Sequence, residues 1–149
     1  MQLATGFLAR RDRTVAQVEG FLQSKGALPL QITHTIHRLS DLRYLDDQAY
    51  AQRWVERKLM VRPIGPDRIK AELQAQGIAE PVVSRVIAVV FGEVDEERLA
   101  RRVLQAKQRH GSRLTPAQSV RLLRQRGFHE ETIDRIVMVA GDSDEGLDS

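Results

Sequence analysis

The chain has no cysteine. A disulfide framework and thiolate chemistry are therefore excluded. The absence fits a reducing compartment, and a soluble cytoplasmic protein is the expectation. Aromatic residues are only 5% of the 149 residues, against 42% apolar residues in all. Such a core must be aliphatic, which suits packed helices better than a sheet. No apolar run reaches the ~20 residues that a membrane span needs. The N-terminus lacks the basic, apolar, small-residue order of a signal peptide. Strand-like alternation is missing throughout. Lysine is scarce too: 4 of the 23 basic residues, the other 19 being arginine. Nor is there a nucleophile elbow, a P-loop or a glycine-rich phosphate cradle. No catalytic apparatus, cofactor or metal site is expected.

What is present begins with charge. The net charge of +3 conceals an asymmetry, because the last nine residues, "GDSDEGLDS", hold four acids and no base. Residues 1–140 carry 23 basic against 16 acidic residues, a net +7. Arginine forks onto phosphates and carboxylates, so this body suits nucleic acid or an acidic protein surface. The codon bias of a GC-rich genome would enrich arginine as well. The acidic tail reads as a disordered, solubilising end, or as a screen against non-specific DNA.

The stretch "LLRQRGFHEETI", residues 122–133, carries the organising signal. Leu122 and Leu123 are the buried side of a helix's last turns, Arg124 and Arg126 suit its negative end, Gly127 closes it and Phe128 packs back on the cap. The same stop occurs twice earlier, at Gly26 in "LQSKGA" and at Gly77 in "LQAQGI". Four residues before each glycine comes Leu22, Leu73 or Leu123. Six after comes Ile32, Val83 or Ile133, and ten after comes Ile36, Ile87 or Val137. This is an internal repeat near 50 residues.

Each repeat reads as three short helices, nine in all. In the second, Asp46 or Asp47 caps a helix whose apolar face is Tyr50, Trp54 and Val61, with Ala51 and Val55. Pro66 then starts one helix and Pro81 the next. In the third, Leu99, Val103 and Ala106 are the buried side of the first helix, and Thr115 with Gln118 forms a capping box. The first repeat opens on a helix of barely two turns, "LATGFLAR", and Thr14 with Gln17 caps its second. The expected fold is all-α: three tandem three-helix, helix-turn-helix-like repeats forming an elongated, curved body. The expected boundaries are 1–43, 44–92 and 93–140, with an acidic, disordered tail at 141–149.

These residues resemble a known family. Tyr44, Asp46, Asp47, Tyr50 and Ala51, then Gly65, Pro66, Ile69, Glu72, Leu73, Gly77 and Ile78, then Arg126, Gly127 and Phe128 follow the ordered pattern of the RecX regulatory proteins, bacterial modulators of the RecA recombinase. The likeness covers roughly residues 8–137. It implies three tandem three-helix repeats. It also implies binding to the RecA–single-stranded-DNA filament, with restraint of recombinase, ATPase and coprotease activities. A monomer suits such a groove binder, and DNA is met directly or through RecA.

The candidate contact residues are basic. On helix 95–109, Arg98, Arg101, Arg102 and Arg109, with Gln105, lie within about 50° of one line at 100° per residue. Leu99, Val103 and Ala106 point away from it. A phosphate backbone or an acidic partner needs such a stripe, although any solvated helix face is usually charged. Arg121, Arg124 and Arg126 on the neighbouring helix, and Arg62 with Arg68 around the 61–68 loop, extend the candidate surface. Asp46 and Asp47 are better read as a helix start than as a metal or acid–base pair. His34 and His37 have zinc spacing but no third ligand nearby, and His110 and His129 stand alone.

An alternative function is a helix-turn-helix protein that binds duplex DNA without RecA, since residues 115–137 are two helices joined by a glycine turn. Its second helix offers Glu130, Glu131 and Asp134 against Arg135 alone, a poor set for meeting phosphates. A scaffold for some other acidic protein is a third reading.

Overall fold

The computed structural model describes Ala4 and residues 13–42, 45–111 and 113–145. Eight helices follow in order, α1 (Val15–Ser24), α2 (Pro29–Asp41), α3 (Asp47–Val61), α4 (Pro66–Ala75), α5 (Glu80–Glu93), α6 (Glu96–Arg109), α7 (Pro116–Gln125) and α8 (Glu130–Glu145). Among the described residues there is no strand, and the fold is all-α. The expected opening helix, residues 3–10, lies outside the described residues except for Ala4, which is helical and buried. Tyr44, the first aromatic of the family pattern, also lies outside them.

Local chemistry accounts for the helix starts. Thr14 Oγ1 accepts from the Gln17 N–H at 3.1 Å while Gln17 Oε1 accepts from the Thr14 N–H at 2.9 Å. Thr115 and Gln118 repeat this capping box at 3.2 and 3.0 Å. Each leaves fewer of the first-turn N–H groups without an acceptor. Pro66 and Pro116 occupy the first helical position, whereas α5 begins one residue earlier than expected, at Glu80. α8 runs to Glu145, five residues into the stretch set apart as a tail.

The three glycine stops are superposable in their bonding. Gly26, Gly77 and Gly127 all have φ between 81° and 84°. After each, the next residue's N–H reaches back to the repeat-equivalent leucine carbonyl: Ala27 to Leu22, Ile78 to Leu73, Phe128 to Leu123. The glycine N–H itself bonds Gln23, Gln74 or Arg124. This is the six-to-one and five-to-two pattern of the Schellman motif, which only a left-handed residue can make. The sequence positions that recur also share an environment. Leu22, Leu73 and Leu123 are buried, and so are Ile32, Val83 and Ile133. Ile36, Ile87 and Val137 are half-buried in all three cases.

The chain divides into two compact units, residues 1–54 with 72–86, and residues 55–71 with 87–149. The first buries Ala4, Val18, Leu22, Ile32, Leu39 and Leu45 together. The second buries Leu99, Ala100, Val103, Leu123, Phe128, Ile133 and Ile136. At roughly 2 kcal/mol for each large apolar side chain removed from water, these clusters supply the main driving force.

Two expectations about the core need correction. Val61 does not belong to the apolar face of α3: Ala51 and Val55 are buried, but Val61 is 87% exposed. Leu59 packs on the second unit's core, and a residue two positions on points about 200° away. Ala106 is exposed, and Ala100 is the buried alanine of α6. The aspartate pair also divides its work. Asp46 caps α3, accepting from the Ala49 N–H at 3.1 Å. Asp47 instead accepts from the Val15 N–H at 3.0 Å, at the start of α1.

Burial raises the Asp47 carboxyl above its usual range, the Val15 N–H opposes this, and the charge of Asp46 adds to the rise. Its folded-state value therefore lies above its unfolded one. That contribution favours the fold at acid pH and is lost as pH rises through the folded value. Asp47→Asn keeps an acceptor for Val15 and removes the charge. We expect it to equal or slightly exceed the parent at neutral pH, by under about 1 kcal/mol. Asp47→Ala leaves the N–H unmatched and should cost about 1–2 kcal/mol. Urea unfolding of the three proteins at two pH values checks both signs.

Candidate anion-binding interface

Gly65 decides where the basic residues meet. It occupies the position that Thr14 and Thr115 hold in the other repeats, so no side-chain cap is available to α4. The turn of the third repeat supplies acceptors in its place. The Gly65 N–H donates to the Arg126 carbonyl at 2.7 Å, and the Asp67 N–H donates to the Gly127 carbonyl at 2.9 Å. A side chain at Gly65 would run into the Gly127 backbone, and one at Gly127 into Arg68. The two backbones approach this closely only because both residues lack a Cβ.

That approach gathers Arg62, Arg68 and Arg126. The Arg126 guanidinium is held below the usual arginine range, first by burial, then by the like charges of Arg62 and Arg68. Beside it is a concave pocket of about 360 Å³ lined by Arg62, Pro63, Val103, Ala106, Lys107, His110 and Arg126. None of these seven lining residues is acidic. The pocket also explains the exposure of Ala106. The buried seam of α6 runs through Leu99, Ala100 and Val103 and then passes the end of the core. Ala106, Lys107 and His110 continue the same line as the pocket wall.

The arginine stripe expected on α6 lies away from this pocket. Arg98, Arg101, Arg102 and Arg109 are all exposed. At 100° per residue their line is roughly 135° around α6 from the pocket residues. The structure therefore splits the sequence-derived site in two. Arg62, Arg68 and Arg126 converge, and Lys107 and His110, which lie off the stripe on the apolar line of α6, line the same pocket as Arg62 and Arg126. Within the stripe, Arg101 pairs with Glu97 at 3.1 Å, one turn earlier. Arg98, Arg102 and Arg109 have no ion pair among the described residues.

On α7 the two arginines differ. Arg121 is exposed. Arg124 forks onto Glu130, Nε to Oε1 at 2.7 Å and an Nη to Oε2 at 3.1 Å. This pairing raises the Arg124 guanidinium and lowers the Glu130 carboxyl from their usual values. Arg124 is thus committed to its own helix end and offers less to a partner.

His129 lies between two carboxylates, Nε2 at 3.1 Å from Asp67 and Nδ1 at 3.4 Å from Glu96. Its backbone N–H donates to Glu96 at 2.9 Å, so Glu96 caps α8 from the start of α6. His37 pairs with Asp41 at 3.6 Å, both exposed. Among the described residues no group of three or more histidine, aspartate or glutamate side chains is placed to hold a metal. No helix among them is long and apolar enough to cross a membrane.

The profile of the RecX second three-helix domain matches residues 46–87. Regulatory protein RecX of Leuconostoc citreum is 30% identical over 142 residues, 92% of this chain. The chain belongs to the RecX family. RecX of Bacillus subtilis is 35% identical over 97 residues, 65% of this chain and 36% of that protein. This chain spans about half the length of the Leuconostoc protein, 53%. Among solved structures, RecX from Lactobacillus salivarius matches with a TM-score of 0.80 at 22% identity, over 92% of this chain and 91% of that one. A second RecX crystal structure matches with a TM-score of 0.75 at 20% identity, over 89% and 67%. At such identities the structures speak for the fold, and the all-α RecX fold is what they share. The RecX profile ends within α5, so it reaches neither Arg126 nor α6.

Proposed function

We propose that this RecX-family chain binds the RecA–single-stranded-DNA filament and restrains its recombinase, ATPase and coprotease activities, by docking and without chemistry of its own. The observation that carries the reading is the concavity lined by Arg62, Arg126, Lys107 and His110 and by no acidic residue, with Arg68 a further like charge beside Arg126. Like charges packed together disfavour one another, and an anion entering the concavity relieves that repulsion. A phosphodiester or an acidic loop fits the space, and guanidinium forks suit both. The arginines of the α6 stripe act as a second contact, on the other side of that helix. Relatives named as regulatory proteins support the absence of a catalytic role.

The duplex-binding alternative gains nothing from the geometry. Glu130 and Glu131 stand at the start of α8, where a recognition helix would meet phosphates. The test is titration into RecA bound to single-stranded DNA, with ATP hydrolysis as the readout. Suppression at near-stoichiometric amounts is expected. Unchanged hydrolysis at that ratio would overturn the proposal, and tight, RecA-independent binding of duplex DNA would revive the alternative.

A further inference from the structure

The concavity of the second unit offers more than charge. Pro63, Val103 and Ala106 line it too, and none of the three has a side-chain group that can bind an anion. Its frame is stiff. The proline ring fixes φ at position 63, Ile64 next to it is fully buried, and the Gly65 N–H ties the segment to the Arg126 carbonyl at 2.7 Å. The backbone thus holds Arg62 and Arg126 near one another before any ligand arrives, which lowers the ordering cost of binding. All of these residues belong to that one unit.

An apolar lining is of no use to a phosphodiester backbone. Single-stranded nucleic acid is held by cations that track its phosphates and by aromatic rings on which its bases stack. No phenylalanine, tyrosine or tryptophan lines the pocket. The α6 stripe, with Arg98, Arg102 and Arg109 all exposed, is closer to what phosphates need. The chain leading to the pocket is apolar as well: Met60 and Val61, the two residues before Arg62, are 86% and 87% exposed. Exposed apolar side chains beside polar ones are the mark of a protein contact, and methionine adapts to varied partners. At about 360 Å³ the space is small for a ligand pocket. It suits one large side chain with a carboxylate at its edge.

We infer that the pocket takes an acidic peptide segment of a protein partner, with a large aliphatic side chain among its carboxylates. The aliphatic side chain seats on Pro63, Val103 and Ala106. The carboxylates meet Arg62, Lys107 and Arg126, which form no ion pair among the described residues. Guanidinium forks match carboxylates in geometry, and the apolar seat selects among acidic segments, which charge alone cannot do. The inference rests on the reading of this concavity as the docking site, and chooses between the two kinds of anion that the reading admits.

Backbone amide shifts of the ¹⁵N-labelled full chain test it, with three probes of equal charge: acetyl-Asp-Glu-Leu-Asp-Glu-amide, the same peptide with alanine for leucine, and a short oligothymidylate. The leucine peptide should move the amides of Val103, Ala106 and Lys107, and bind about tenfold more tightly than the alanine peptide. Ala106→Gln puts a polar group on the seat without changing charge, at an exposed helical position where glutamine is a good helix former. It should abolish the preference for leucine, with circular dichroism verifying the fold. Equal affinities of the parent for the two peptides would overturn the inference. So would no shift at these amides up to about 5 mM leucine peptide, a preference that survives Ala106→Gln, or an oligothymidylate that moves them at lower concentration than the leucine peptide does. None of these measurements contains RecA. Full suppression of the ATPase with equal peptide affinities would sink the inference alone, and a leucine-selective pocket without suppression would sink only the filament reading.

Discussion

Gly127→Ala should unfold the second unit at temperatures where the parent is intact, whereas Gly26→Ala should be tolerated. Both glycines have φ above 80°, so both substitutions force an L-residue into the left-handed region at about 1–2 kcal/mol. The environments separate them. An alanine Cβ at position 26 meets nothing, and at position 127 it collides with the backbone of Arg68. Backbone does not rotate away as a side-chain tip does. The hydrogen bonds from Gly65 and Asp67 must lengthen or break, and each leaves a helix-start donor unmatched. Strain and lost bonds together come to about 3–5 kcal/mol, a large share of a domain's stability. Thermal unfolding should show a fall of roughly 10 °C for Gly127→Ala and roughly 3 °C for Gly26→Ala. Gly65→Ala should resemble Gly127→Ala although its φ is unremarkable, because its Cβ meets the same crossing from the other side. Equal falls at positions 26 and 127 would refute the close approach.

The second large effect is functional. Arg126→Gln should weaken suppression of RecA's ATPase about tenfold or more while leaving the fold as stable as before, or slightly more so. The loss follows from a charge-assisted hydrogen bond to an anion, about 1.5–3 kcal/mol. The stability follows from the neighbours. Arg126 is partly buried against Arg62 and Arg68, and removing its charge relieves two like-charge contacts. Solvent screening limits that gain to about 0.5 kcal/mol or less, or 1–2 °C. A residue whose replacement stabilises the fold and weakens binding is held for binding. If nucleic acid is the partner, the dependence of log affinity on log salt should also become shallower by about one unit. A variant that loses stability and keeps full inhibition would assign Arg126 to the fold alone. Charge reversal of Arg98, Arg101 and Arg102 provides the comparison, because those side chains sit on the other side of α6 and touch neither the core nor the pocket.

The repeat was written in the sequence. A left-handed turn needs glycine, a buried helix face needs an aliphatic residue every three or four positions, and an exposed helix start needs its cap. These are local requirements, so Gly26, Gly77 and Gly127, with Leu22, Leu73 and Leu123 before them, announced the unit and its period. The capping boxes at Thr14 and Thr115 were legible for the same reason. The division of the basic residues was not. Arg62, Arg68 and Arg126 come together because two glycines allow two backbones to touch, an event between residues sixty positions apart. Lys107 and His110 join them because the seam of α6 outruns its core, and only packing fixes where a core ends. Ala106 fits the apolar period yet lies in water on that account, whereas Val61 is exposed because the buried face of α3 runs through Ala51, Val55 and Leu59. Periodicity gives the direction in which a side chain points, and the tertiary structure decides what, if anything, it meets there.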